Sequence, residues 1–360
     1  MPYKNRLSKL QSQLKTDSIP ALIIDNPTDL FYLTGIELSL GRLVLTADDA
    51  ELLIDGRYFE ACSKTSPVRT KLSNNQDISH LSLQRVAFDS KFTTYHAYKA
   101  ISKKLNGTTT LIPLEAPVQK IRAIKDASED KALSKAANLG SRGYQYAISL
   151  LKEGVSEIEI ATELEIFWKR EGASKPAFDI NISFGANSSM PHHRAGKTRL
   201  KRGDPVLMDI GVTLNYYNSD MTRVLFFKEP SNEMKKVYLT VKDAQEAALS
   251  LCKPGAVVGD LDRAARDLIT ECGYGKNFTH SLGHGIGLDV HEYPILRSST
   301  PFKDVILQPG MAITIEPGIY LSGIGGVRIE DTILITESGY RNLTNLPKEL
   351  HILEPSEMRE

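Results

Sequence analysis

The chain has 360 residues, of which 41% are hydrophobic and 24% charged, and its 44 Lys+Arg balance its 44 Asp+Glu. That length accommodates two domains, and the neutral balance gives no global field for nucleic acid or an anionic membrane surface. No apolar run approaches the ~20 residues that span a bilayer. The opening MPYKNRLSKLQSQL has no apolar signal core. Cys62, Cys252 and Cys272 form no CxxC pair. A reducing cytoplasm is therefore expected, without a disulfide framework or a thiolate metal site.

In chain order, ALIID (21–25) predicts a strand and the NPTD after it a turn. RLVLT and ELLID, separated by polar TADDA, predict a hairpin. Lys99 to Leu105 predicts a helix, and TTTLIPLE a return to strand. This alternation predicts a small α/β domain over residues 1–122. The stretch IRAIKDASEDKALSKAANLGSRGYQYAISLLKEG lacks proline and stops at a glycine. It predicts a long helix of about residues 127–153 that leads into a second domain, 123–360. Ser156 and Glu159 then form a capping-box pattern. Ile160, Leu164, Phe167 and Trp168 follow at one helix face, a spacing that predicts core packing. VLMDIGVTL and MTRVLFF read as paired strands. NEMKKVYLTVKDAQEAALSLC and GDLDRAARDLITECG read as helices, and Met311 to Thr336 as a strand-rich close. SDMTRVLFF and IEDTILIT each put an acid at the start of a strand.

The acids carry the chemistry. A turn centred between Leu214 and Asn215 sets Asp209 opposite Asp220, with Cβ atoms ~4.5–5.5 Å apart where like charges repel. A second hairpin centred on Gly323 sets Glu316 opposite Glu330. Taken singly, each acid reads as ordinary turn chemistry. Two cross-strand pairs in apolar surroundings read differently, because a buried carboxylate must lose its charge or meet a cation. Arg223 and Arg328 would neutralise one acid each, and four acids call for divalent metal.

Histidines add to this. His280, His284 and His291 fall within FTHSLGHGIGLDVHE, and His192-His193 within GANSSMPHHRAG. No glutamate follows His280, so the i, i+4 pair His280/His284 is not HExxH. Gly283, Gly285 and Gly287 oppose a helix and predict a loop in which the backbone approaches something closely. One histidine alone is more often an ordinary polar residue; three so near each other favour a site. Four carboxylates with an imidazole make a hard, oxygen-rich set. It suits Mn²⁺, with Co²⁺, Fe²⁺ or Zn²⁺ compatible. There are enough ligands for two ions ~3.5–4 Å apart sharing a hydroxide nucleophile.

The stretches MDIGVTLNYYNSDMTR, HSLGHGIGLDVHE, TIEPGIY and VRIEDT, in that order, resemble the metallopeptidases of the aminopeptidase P, prolidase and methionine aminopeptidase group. DNPTDLFYLTGI, LLIDGRYFEAC and IRAIKDASE resemble the amino-terminal domain and linker of the aminopeptidase P and prolidase branch. The resemblance implies an α+β pita-bread catalytic domain preceded by a smaller α/β creatinase-like domain. It implies metal binding by Asp209, Asp220, His284, Glu316 and Glu330, with Asp220 and Glu330 bridging two ions. Glu316 would also shuttle the proton to the leaving amine. His192 and His291 would bind substrate and stabilise the tetrahedral intermediate, Arg328 would lie on the substrate side, and His280 close by. Tyr217 matches a family aromatic and reads equally as packing. Phe178 and Tyr293 are candidate walls for the proline ring.

The implied reaction is metal-dependent hydrolysis of the bond between an N-terminal residue and a following proline. Proline forms a rigid tertiary amide without an N–H, which general peptidases reject. The reading taken is an Xaa-Pro aminopeptidase. The alternative is a prolidase restricted to Xaa-Pro dipeptides, and a remoter one a non-catalytic binding protein on the same fold. Creatine amidinohydrolases lack the acidic set, and methionine aminopeptidases the full amino-terminal domain. The expected partners are proline-containing peptides and a second copy in a homodimer, with neither nucleic acid nor membrane.

Overall fold

Apolar runs and cap residues account for most of the architecture. A computed structural model describes residues 2–354 apart from 74–76, 80, 82 and 106–108. The chain divides into two units, Met1–Arg122 and Ala123–Glu360. No helix among the described residues is long and apolar enough to cross a membrane.

The first unit runs α1 (Pro2–Thr16), β1 (Ala21–Ile24), α2 (Pro27–Thr34), β2 (Arg42–Thr46), β3 (Ala50–Ile54), α3 (Gly56–Thr65), β4 (Arg69–Leu72), β5 (Arg85–Asp89), α4 (Tyr95–Lys104) and β6 (Thr110–Leu114). Thr108, at the head of the expected last strand, lies outside the described residues. The sheet order is β4-β3-β2-β1-β5-β6, with β2 antiparallel to both its neighbours β1 and β3 and the remaining pairs parallel. NPTD is not a turn but the start of α2. Asn26 accepts the Thr28 N–H, Pro27 occupies the first helical position, and Gly35 ends the helix at φ 74°. That is helix-start chemistry, which looks like turn chemistry in sequence. Arg122 and Asp29 form a buried ion pair at 2.8 Å that ties the end of this unit back to α2.

A short helix, α5 (Gln119–Ala123), precedes α6 (Ala127–Ser149). Asp126 and Glu129 form a capping box at the start of α6. The helix stops at Ser149, short of residue 153, and the chain leaves through Gly154 at φ 82°. α7 (Glu157–Arg170) begins at the Ser156/Glu159 capping box. Ile160, Leu164 and Trp168 are buried, while Phe167 is half-buried and stacks on Tyr146 at 4.7 Å.

The strands β7 (Lys175–Pro176), β8 (Asn181–Phe184), β9 (Pro205–Ile210), β10 (Val212–Leu214), β11 (Tyr217–Asn218) and β12 (Met221–Phe227) follow, then α8 (Asn232–Ser250) and α9 (Val258–Glu271). The close is β13 (Gly283–Gly285), β14 (Glu292–Leu296), β15 (Ala312–Ile315), β16 (Gly318–Leu321), β17 (Gly325–Arg328), β18 (Asp331–Ile335), β19 (Tyr340–Asn342) and β20 (Ile352–Leu353). Two sheets organise the unit, β20-β12-β9-β8 and β14-β13-β15-β18-β19.

Strand alternation decides what faces what. In β9 and β12, Val206, Met208, Ile210, Leu225 and Phe227 pack with α6 and α7. Leu207, Val224 and Phe226 point the other way, into a core with α8 and α9. Asp209 and Thr222 share that second face by parity. One sheet face thus carries hydrophobic core at one end and acid at the other.

The two expected registers fare differently. β16 and β17 pair Gly318 with Arg328, and β15 and β18 pair Ile315 with Asp331, as a turn at Gly323 requires. Gly323 takes φ 76°, the left-handed conformation expected at such a turn. The first hairpin is shifted by two. Its turn residues are Asn215 and Tyr216, both at positive φ, and β10 pairs Leu214 with Tyr217. This two-residue turn with two left-handed positions matches the twist of the strands. Asp209 therefore opposes Thr222, not Asp220. An even shift keeps the face, so the two aspartates become diagonal rather than direct neighbours.

Candidate metal centre

Asp220 and Glu330 each immediately precede a strand, β12 and β18. One ligand atom each from Asp220, His284 and Glu330 lies within 4.8 Å of the others, all three side chains being buried. His284 Nε2 is 3.7 Å from Asp220 Oδ2 and 3.3 Å from Glu316 Oε1. His284 Nδ1 meets the Gly285 carbonyl at 3.0 Å, which assigns the ring proton to Nδ1 and leaves Nε2 free to ligate. Asp209 stands at the edge, with Oδ2 taking Arg328 Nη2 at 2.5 Å. All five expected ligands line one cavity of about 560 Å³.

The glycine-rich histidine segment is partly strand, not loop. His284 sits in β13 between Gly283 and Gly285. A Cβ on Gly283 would lie 2.0 Å from Thr314 O, and one on Gly285 2.3 Å from Tyr293 O. The close approach expected of these glycines is to neighbouring strands, and it seats His284 among the acids.

Arg328 spends its donors on three partners. Beyond Asp209, Nε donates to Thr222 Oγ1 at 3.1 Å and Nη1 to Tyr320 Oη at 2.6 Å. Thr222 passes its own proton to Glu330 Oε2 at 2.8 Å. Tyr320 in turn donates to His280 Nε2 at 2.9 Å, and His280 Nδ1 donates to Ser281 O at 2.8 Å. Thr314 accepts the His284 N–H and donates to Glu316 Oε1. Arg223 does not reach the acids as expected. Its neighbour Thr222 takes the site face, and Arg223 turns to Asp331 at 2.6 Å on the other.

His192, His291, His280 and Phe178 also line the cavity. Tyr293 is not among its lining residues; it faces Phe302 at 6.5 Å, and Ile295 takes a place in the wall. Tyr217 lies in a separate buried cluster, with its hydroxyl on Glu129 at 3.1 Å, which is the packing reading. Thr222, Thr314 and Tyr320 were not singled out from sequence. The acid-x-Thr shared by Asp220-Thr222 and Glu330-Thr332 was the available signal. Thr332 Oγ1 donates to Asp220 O while Thr222 serves Glu330, a reciprocal arrangement.

The electrostatics favour a cation. Burial, with the charges of Glu330, Asp209 and Glu316, pushes the Asp220 carboxyl far above its usual range. Burial, with Glu316 and Asp209, does the same to Glu330. Glu316 is pushed up to about 8 by burial, with Arg328 pulling down and Asp209 pushing up. Burial lowers His284 to about 4, keeping it a neutral donor. Glu330 Oε1 is buried with no hydrogen-bond partner. Burying such an atom is costly, and a divalent ion answers both the unmet atom and the repulsion.

The sequence profile of metallopeptidase family M24 matches residues 131–337. The chain belongs to that family. The creatinase/prolidase N-terminal domain profile matches residues 6–124 of this M24 peptidase. Its fold is the pita-bread catalytic domain preceded by the creatinase-type domain, and the family implies divalent metal ions. The peptidase is 35% identical over 349 residues to the Xaa-Pro dipeptidase of Pyrococcus furiosus, covering 96% of this chain and 99% of that one. It superposes on the Xaa-Pro dipeptidase structure from Bacillus anthracis with TM-score 0.92 and 35% identity, covering 98% and 100% of the two chains. The X-Pro aminopeptidase of Thermotoga maritima matches with TM-score 0.84 and 32% identity, covering 93% and 98%.

Proposed function

We propose that this peptidase is a metal-dependent Xaa-Pro dipeptidase. The observation that carries the reading is one cavity that joins the acid–histidine cluster to His192, His193 and Arg194, with Phe178 and Ile295 beside them. An apolar wall suits a pyrrolidine ring. Imidazole and guanidinium groups suit the free carboxylate of a dipeptide. The dipeptidase names of relatives at about the same identity over nearly the whole chain support this restriction. The aminopeptidase reading taken from sequence becomes the second reading, favoured by the likeness to the Thermotoga maritima protein.

Asp209, Asp220, His284, Glu316 and Glu330 would hold two divalent ions, with manganese proposed for this hard donor set. When bound, such ions polarise the scissile carbonyl and lower the pKa of water. With metal in place of its proton, Glu316 would be the carboxylate that takes a proton from water and hands it to the leaving proline nitrogen. His192 and His291 would donate hydrogen bonds to substrate oxygens. Arg328 fixes Asp209 and, through Thr222, Glu330. Side-by-side hydrolysis of Xaa-Pro and Xaa-Pro-Xaa peptides by Mn²⁺-loaded protein tests the reading. Cleavage of the dipeptide alone supports it, cleavage of both supports the second reading, and silence on both overturns each.

A further inference from the structure

We infer that Glu157 is a positioning residue that clamps the loop carrying His192 into the cavity. The inference rests on the proposed role of His192. Glu157 is the first residue of α7 and is fully buried, yet it takes no part in the capping box, which Ser156 and Glu159 make. Its carboxylate accepts four hydrogen bonds. The Phe184 N–H (2.9 Å) and Asn187 Nδ2 (2.8 Å) reach Oε1. The Gly196 N–H (3.0 Å) and His193 Nε2 (2.9 Å) reach Oε2. These donors span both ends and the middle of the segment 184–196. The first turn of α7 adds two bonds at the far end, from Glu157 N–H to Thr198 O and from Ile158 N–H to Gly196 O.

His192 itself is exposed and, among the described residues, has no side-chain hydrogen bond of its own. Its place is therefore set by the backbone around it. Two other anchors hold that backbone. Asn181 Nδ2 donates to Pro191 O at 3.1 Å, and Ser188 Oγ accepts the Gly326 N–H at 2.8 Å. Neither reaches residues 193–196. Without the Glu157 carboxylate, the side of the loop after His192 keeps the two helix-end backbone bonds, the His193 N–H to Met190 O bond, the Asn187–Thr198 side-chain bond and the exposed Arg194–Asp179 ion pair, none of which is a buried charged anchor. A carboxylate is the group that fits here, because all four neighbours are donors and each oxygen can accept two.

Glu157→Gln keeps the volume but turns one oxygen into an NH₂ group facing two donors. In the Mn²⁺-loaded enzyme it lowers kcat/KM on an Xaa-Pro dipeptide by about 10–100-fold, with bound metal per chain unchanged. On a His192→Ala background the same change costs less than about twofold, because the residue acts through His192. His193→Gln, which removes one contact, gives a smaller loss of the same kind. Trypsin cleavage after exposed Arg194 speeds up severalfold in Glu157→Gln, a readout independent of activity. Additive losses in the double variant, or an unchanged trypsin rate, overturn the inference. If Glu157→Gln does not fold, an unaltered His193→Gln enzyme overturns it. A wild-type protein inactive on Xaa-Pro would sink the functional reading instead, and the trypsin comparison would still decide the clamp.

Discussion

Thr222 donates its hydroxyl proton to Glu330 at 2.8 Å, joining positions 108 residues apart in sequence. The same hydroxyl accepts from Arg328 Nε, so one small side chain orients an acid of the proposed metal centre and relays the arginine to it. Thr222→Val keeps the shape and removes both bonds. It leaves the second oxygen of Glu330 without its orienting donor. We expect metal affinity to fall about 10–100-fold, with Thr222→Ser close to wild type. Metal titration calorimetry on the two variants checks this; equal affinities would show that the hydroxyl does nothing for the site.

Asp220→Ala should abolish both metal binding and hydrolysis. Asp220 faces His284 and lies within one ion's reach of Glu330. Its removal also relieves repulsion in the metal-free cluster, so the apo protein should be no less stable than wild type. Metal content and apo Tm, measured together, test both halves. A fully active variant would exclude Asp220 from the centre.

The metal-free protein should lose stability as pH rises from about 6.5 to 8. Glu316 binds a proton in the folded state up to about 8, whereas an unfolded glutamate loses it near 4.5. In that window the folded state holds more protons than the unfolded one, so stability falls with pH. His284 and His280, lowered to about 4, act in the opposite sense, but only between about 4 and 6.5. Divalent metal replaces the proton, so the Tm gain on adding Mn²⁺ should be larger at pH 8 than at 6.5. A gain that shrinks with pH would contradict the assignment of Glu316 to the centre.

Gly283→Ala should injure fold and site together. The added Cβ would lie 2.0 Å from Thr314 O, a backbone atom that cannot swing away. Pushing β13 from β15 costs about 1–3 kcal/mol, or roughly 2–4 °C of Tm per kcal/mol for a unit of this size. It also moves His284 from Thr314. Differential scanning calorimetry with and without metal should show a lower Tm and a smaller metal-induced gain.

Much of this was legible because short patterns have short-range causes. The α7 capping box, the Gly323 turn and the apolar faces of α7 and β12 each follow from a few neighbouring residues. The first hairpin register was not, since Asn215-Tyr216 carries no glycine to mark its left-handed pair. NPTD went astray because asparagine before proline caps helices as readily as it opens turns. Arg223 reads in sequence as a partner for one acid and Tyr293 as a wall for the proline ring, whereas strand parity turns Arg223 to Asp331 and packing sets Tyr293 against Phe302. The supporting groups Thr222, Thr314 and Tyr320 needed the fold, because their partners lie on other strands.

The most direct test is a titration of Mn²⁺ into metal-stripped protein, with bound metal and Xaa-Pro dipeptide hydrolysis followed in the same samples. The account predicts that activity is absent at the start and rises with occupancy to a plateau near two ions per chain. Hydrolysis without metal, or full occupancy without hydrolysis, would contradict it.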